Sequence, residues 1–201
     1  MLNKSVPALL ALAVMVVASP PPCAGVEVAL FYAPNLALGG LNGLGETGPL
    51  GVKARVTVAE AGALRLNAGV GYGLYRYRNK YVYKGIWNRA GEIPAWNFSF
   101  GAAVVWDRGR WRPYGAFGFA AALESADIYD EKRRQFMPGM YVGGGTSFAL
   151  DDRWAVALEP RYTYYFDKAV ALHDRGYLTA GVPTDGRFQC VEVLIGLAYG
   201  F

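Results

Sequence analysis

The sequence predicts an all-β protein, an eight-stranded antiparallel up-and-down transmembrane β-barrel. Three observations carry that prediction. Apolar residues alternate with small or polar ones through eight segments, the charges in those segments keep to one face, and short connections alternate with long ones. Composition agrees: of 201 residues, 53% are hydrophobic and 18% charged, and the formal net charge is only +4. That is too apolar for a disordered chain. With no dense basic stripe, a nucleic-acid partner is excluded. Two Cys and one His leave no basis for a zinc cage or a disulfide framework, so no metal or cofactor is expected.

The one long apolar run stands at the front. Lys4 precedes Val6–Ala18, a stretch shorter than the roughly 20 apolar residues that span a bilayer as a helix. Residues 1–25 therefore read as a secretory signal peptide, cleaved somewhere between 18 and 25, and residues 26–201 as a single barrel domain. Cys23 follows three prolines rather than the small and aliphatic residues expected before a lipidated Cys. Its removal would leave Cys190 without a partner.

The strands follow in order. The first is Val26–Tyr32, with Glu27 on its inner face. The second sets Val52, Ala54, Val56 and Val58 against Lys53, Arg55 and Thr57. Beyond a turn at Glu60-Ala61-Gly62, the third sets Leu64, Leu66, Ala68, Val70, Tyr72 and Leu74 against Arg65, Asn67 and three glycines. The fourth, Trp96–Trp106, places Phe98, Phe100 and Val104 opposite Asn97, Ser99 and Gly101. Trp111–Leu123, Met140–Leu150, Trp154–Phe166 and Val191–Phe201 complete the set. Pro160 interrupts the seventh strand; it has no N–H for a ladder, so a bulge or a local break in pairing is expected there.

Alternation alone does not say which face is inside. A soluble barrel would have to fill its core with Lys53, Arg55, Arg65, Arg112, Glu159, Arg161 and Glu192. A charge facing lipid at the bilayer midplane costs about 2–4 kcal/mol, which accounts for the uncharged apolar face. The apolar face is therefore expected outside. Inside, Glu27, Glu159 and Glu192 are expected to neutralise Lys53, Arg55, Arg65, Arg112 and Arg161, with Tyr114, Asn67 and Asn97 nearby. The turns Asp107–Arg110 and Asp151–Arg153 are short, whereas Asn35–Pro49, Tyr77–Pro94, Glu124–Phe136 and Asp167–Arg187 are long. Aromatics gather at strand ends, as interfacial girdles require: Trp106, Trp111, Trp154, Tyr199 and Phe201 below, Tyr32, Tyr72, Trp96, Tyr164 and Phe166 above.

The last strand carries a resemblance. Val191, Val193, Ile195, Leu197, Tyr199 and the terminal Phe201 occupy alternate positions and end on an aromatic residue. This resembles the C-terminal signal that the barrel-assembly machinery reads in bacterial outer-membrane proteins, with Tyr199 and Phe201 as its aromatics. The chain as a whole resembles the small eight-stranded barrels of the OmpA/OmpX and opacity-protein type. The resemblance implies a Gram-negative outer membrane, the assembly machinery as a partner in biogenesis, and lipopolysaccharide as a neighbour; a monomer is expected. Full-length OmpA-type proteins add a periplasmic peptidoglycan-binding domain, and with the sequence stopping at Phe201 no tethering role is expected.

Three functions fit such a scaffold. A structural or surface-interaction role leads, with lipopolysaccharide contacts assigned to Arg76, Arg78, Lys80, Lys84 and Arg89, cations interleaved with aromatics whose charge suits phosphates. A narrow channel lined by lumenal charge is the alternative. A lipid A acyl hydrolase or transferase is disfavoured. Deacylases of this type resemble one another through a His-x-Ser-Asn run, and here the run is His173-Asp174-Arg175-Gly176. Glu159 and Glu192 among arginines suit a structural network better than acid–base chemistry. No catalytic residue is expected.

Overall fold

Among the described residues ten stretches fold as strands: β1 (Glu27–Tyr32), β2 (Asn35–Gly39), β3 (Gly45–Glu46), β4 (Gly51–Ala61), β5 (Leu64–Arg78), β6 (Ala90–Val105), β7 (Trp111–Ile128), β8 (Glu131–Ala149), β9 (Trp154–Tyr165) and β10 (Gln189–Gly200). The structure is a computed structural model and describes residues 27–33, 35–39, 45–46, 51–78, 90–128, 131–167 and 189–200. From β4 to β10 each strand pairs antiparallel with the next, and β1 pairs with both β4 and β10. The sheet is thus closed. β2 runs along the edge of β10 that β1 occupies, and β3 along the edge of β5 that β4 occupies, so the ring has eight staves.

Each stave sorts its side chains by parity. Ala29, Phe31, Ala157, Leu194 and Ala198 form a buried cluster inside the ring, and Ala103, Tyr114, Ala116 and Tyr141 form a second. The other parity faces out. Phe119 is 67% exposed, Phe136 60% and Phe117 58%, values that belong to a lipid-facing coat rather than to a water-facing surface. Lumen and lipid face therefore lie where the alternation of charge puts them.

Strand ends depart from expectation on the side of the long connections. The segment Glu124–Phe136 is strand nearly throughout, because β7 and β8 stay paired out to Ile128 and Glu131. Likewise β5 and β6 remain paired to Arg78 and Ala90, inside the expected loop Tyr77–Pro94, and β2 and β3 fall within Asn35–Pro49. Backbone pairing holds these extensions together. Above the membrane nothing requires one face to be apolar, so the alternation that marks a strand fades while the strand continues. Of Asp167–Arg187, only Asp167 lies among the described residues, and the signal segment 1–25 lies outside them.

The opposite end is built from tight turns. Ala61 pairs with Leu64 across Gly62, whose φ of 60° a two-residue hairpin needs, so β4 runs past the expected turn at Glu60. Just before it, the register shifts between Thr57 and Ala59, a bulge at Val58. Asp107 Oδ1 accepts the N–H of Gly109 at 2.9 Å, and Asp151 Oδ1 accepts those of Arg153 at 2.8 Å and Trp154 at 2.7 Å. These are side-chain-closed turns, in which aspartate stands in for a backbone acceptor. Aromatic pairs mark both rims. Trp154 and Tyr199 lie 4.8 Å apart between ring centres and Trp111 and Phe148 5.9 Å apart at the turn end, against Tyr72–Trp96 at 5.3 Å and Tyr164–Phe166 at 6.1 Å above. Phe201 lies outside the described residues.

Pro160 breaks the ladder on one side only. Its partner on β10 is Val193 and the register there is continuous. On β8 the pairs run from Gly143↔Arg161 to Thr146↔Leu158, skipping Gly144 and Gly145 without a shift of register. Proline brings no donor, and the pairing lapses around it.

Candidate functional site

The lumen is filled in layers. At the turn end Arg65 reaches Glu27 at 3.1 Å and Glu60 at 3.4 Å, an ion pair open to solvent on one side. Above it Thr57 donates its hydroxyl to Asn67 Oδ1 at 2.9 Å, both residues buried. The bulge at Val58 leaves this Thr57–Asn67 register intact while re-aiming Glu60 towards Arg65.

The central layer converges on Glu159, which is fully buried. Arg55 donates to its Oε2 at 2.5 Å, and the Tyr114 hydroxyl donates to the same oxygen at 2.9 Å. Arg161 donates to Oε1 through Nε at 2.8 Å and through the far nitrogen at 2.6 Å. One carboxylate thus holds two guanidiniums. Arg55 also lies over the rings of Phe31 and Tyr114, 4.7 and 5.6 Å from their centres, and Arg161 lies 4.2 Å from the centre of Tyr141. Aromatic faces favour such cations once water is excluded. Tyr141 fits because Gly101 and Gly118 face each other across β6 and β7: a Cβ on Gly118 would stand 2.9 Å from the Tyr141 ring.

Next towards the outer end, Lys53 pairs with Glu192, whose second oxygen, Oε1, is buried without a hydrogen-bond partner among the described residues. Beside them Cys190 is a buried free thiol, and the Tyr165 hydroxyl donates to Asn97 Oδ1 at 3.3 Å. Glu124 is also buried inside the ring, at 1% exposure. Sequence reasoning placed Glu124 at the start of a loop; the signal that finds it is the inner parity it shares with Tyr114, Ala116 and Ala122.

Seven of the eight lumenal charges expected from sequence fall into these three groups. Arg112 does not. It sits at the turn-end rim, its side chain 37% exposed, 4.0 Å from Asp107. One pair of positions along its strand separates it from Tyr114, and that step carries it out of the packed lumen. Among the described residues a cavity of about 20 Å³ lies on either side of the Glu159 layer. Each has room for about one water.

The outer hairpins carry the other candidates. Arg76 stands opposite Glu92 in the register and Arg78 opposite Ala90. Lys80, Lys84, Arg89 and His173 lie outside the described residues. On the neighbouring hairpin Lys132 stands opposite Asp127, and Arg134, exposed, stands opposite Ser125. Arg134 shares its face with Phe136 two residues below, a cation that falls within the long connection Glu124–Phe136 expected from the sequence. Among the described residues no cluster of His, Cys, Asp or Glu has the make-up of a metal site.

A family model described as the outer membrane protein beta-barrel domain matches residues 6–201. No curated protein matches the sequence. Among solved structures, Neisserial surface protein A is similar at a TM-score of 0.55 and 15% identity, over 88% of this chain and 96% of that one. The N-terminal β-barrel domain of Pseudomonas aeruginosa OprF gives 0.52 and 13%, over 87% and 97%. Ail, the attachment invasion locus protein of Yersinia pestis, gives 0.51 and 11%, over 89% and 100%. At such identities the likeness is one of fold.

Proposed function

Because the chain belongs to the outer membrane protein β-barrel family, a family of the Gram-negative cell envelope, we propose that it is a non-enzymatic, non-conducting surface barrel whose outer hairpins engage lipopolysaccharide. The observation that carries this reading is the filled lumen. Arg55, Glu159, Arg161, Tyr114 and Tyr141 meet in one layer, with cavities of about 20 Å³ above and below it. An ion-paired layer across the lumen, with room for about one water in the cavity on either side, supports an anchor rather than a pore.

Activity then falls to the outer side. Of the five cations given register partners on the two hairpins, Arg76 and Lys132 stand opposite the carboxylates Glu92 and Asp127, whereas Arg78, Arg133 and Arg134 stand opposite Ala90, Ala126 and Ser125. No carboxylate stands opposite those three in the register, so phosphate groups of the outer leaflet suit them as counter-ions. Below these cations the aromatics Trp96 and Phe136 lie level with each other through Leu123, suited to the boundary between sugar and acyl chain.

The test has three readouts. Purified protein in planar bilayers should give no steady conductance. Lipid A from cells overexpressing it should be unchanged by mass spectrometry. Lipopolysaccharide co-purifying with the barrel should fall several-fold in an Arg78→Ala/Arg134→Ala variant, and only weakly in Arg76→Ala/Lys132→Ala. Steady conductance, altered lipid A or unchanged retention would each defeat the corresponding part of the proposal.

A further inference from the structure

The outer of the two lumenal cavities has a wall of one sign. It is bounded by Lys53, Arg55 and Arg161, by Asn97, Ser99, Thr163 and Tyr165, and by apolar Phe31 and Leu194. No carboxylate reaches that wall. Glu192 and Glu159 sit behind the cations they bind.

Charge at the cavity is not balanced locally. Lys53 pairs with Glu192, but within the central layer Glu159 alone serves two guanidiniums. The carboxylates that complete the balance, Glu27 at the turn end and Glu124 buried towards the outer end, do not line the cavity, which leaves it locally positive where Arg161 is 5% exposed. Buried charge is costly unless opposite charge lies close to it. The lining also supplies neutral donors in the hydroxyls of Ser99 and Thr163. Glycines keep the space: a Cβ on Gly69 would stand 2.6 Å from Ser99 Oγ, and one on Gly71 would run into the Lys53 side chain.

We propose that this cavity binds one small monovalent anion, chloride or another halide, held between Lys53, Arg55 and Arg161. Its volume of about 20 Å³ suits a single atom-sized ion. Phosphate, sulfate and organic carboxylates are too large. Binding neutralises the local positive potential of the three cations and is independent of what the outer hairpins engage, so the site stands whether or not the barrel meets lipopolysaccharide.

Two measurements on the full chain, purified in detergent, test it. Crystals grown in sodium bromide should show an anomalous bromide peak inside the ring between the three cations. Loss of the folded form on heating, read by gel mobility, should move up by a few degrees in sodium chloride or bromide relative to sodium gluconate or sulfate at equal ionic strength, and the shift should saturate. In Lys53→Met/Glu192→Gln, which removes a cation together with its partner, the halide shift should disappear. Were that variant not to fold, the bromide peak in the unaltered protein still decides. Equal midpoints in all four salts, or a cavity holding only water in bromide-grown crystals, would overturn the proposal.

Discussion

Arg55 on β4 and Glu159 on β9 meet across the lumen at 2.5 Å, although 104 positions separate them in the chain. The contact joins opposite parts of the ring, and Arg161 and Tyr114 share the same carboxylate from β9 and β7. Removing Glu159 alone strips two guanidiniums of their counter-charge. Glu159→Ala should destabilise the folded barrel by about 3–5 kcal/mol, the usual cost of orphaning a buried ion. Replacing Arg55, Glu159 and Arg161 together by Met, Leu and Met should cost far less. Urea unfolding in detergent, followed by gel mobility, measures both; equal losses would mean that the network is not the source of the effect.

The opposed glycines Gly101 and Gly118 set the position of Tyr141, and Tyr141 in turn lies against Arg161. A side chain at 118 has only the Tyr141 ring and the β6 backbone to meet. Gly118→Val should therefore destabilise by about 1–3 kcal/mol through overpacking. Gly118→Val with Tyr141→Ala should recover part of that loss. A double variant no better than the single one would place the strain in the backbone of β6.

Pro160 leaves Gly144 and Gly145 unpaired with β9. Backbone groups at membrane depth that lack partners are costly, so this is the weakest stretch of the seam. In bilayer samples, amide exchange at Gly144 and Gly145 should be faster than at Val142 and Ser147. Pro160→Val, on the exposed outer face, should restore the donor and slow it. Uniform exchange along β8 would show that the break has no dynamic consequence.

Asp151 lies in the turn between β8 and β9, outside the membrane, and accepts the N–H groups of Arg153 and Trp154. Those hydrogen bonds hold its carboxyl below the ordinary carboxylate value. A depressed folded-state pKa stabilises the turn above the unfolded value, near pH 4, and that contribution disappears as pH falls through the folded value. Asp151→Ala should thus lower stability at pH 7 and make no difference at pH 2. A variant equally impaired at both pH values would assign the effect to something other than the charge.

The barrel was legible in the sequence because a bilayer outside and a polar lumen inside write themselves on alternate residues. Val52, Ala54 and Val56 against Lys53, Arg55 and Thr57 tell the two faces apart with no knowledge of neighbours. Where the bilayer stops, so does that record: Ser125–Arg134 carries charge on both parities and still forms a hairpin. The partners inside the ring were not legible either. Whether Arg112 meets Glu159 or Asp107 depends on the stagger between strands, a property of the closed sheet rather than of any one segment. Arg134 was missed for the related reason that its value lies in what stands across the ladder, Ser125 rather than a carboxylate.

Lys53 and Glu192 are 139 positions apart, and like Arg55 and Glu159 they link an early stave to a late one. During biogenesis Lys53 cannot meet Glu192, which β10 carries, until β10 has arrived beside β1, and Arg55 meets Glu159 only once the sheet has curled far enough to bring β9 across from β4. Until then the partly curled sheet must keep its cations and carboxylates in contact with water, on a concave side left open. Ring closure and these cross-lumen pairings therefore go together, and the slowest-forming contacts are the ones that most commit the chain to its finished shape. A folding intermediate of this barrel is a trough still wetted along its length, and the last strand both shuts it and dries it.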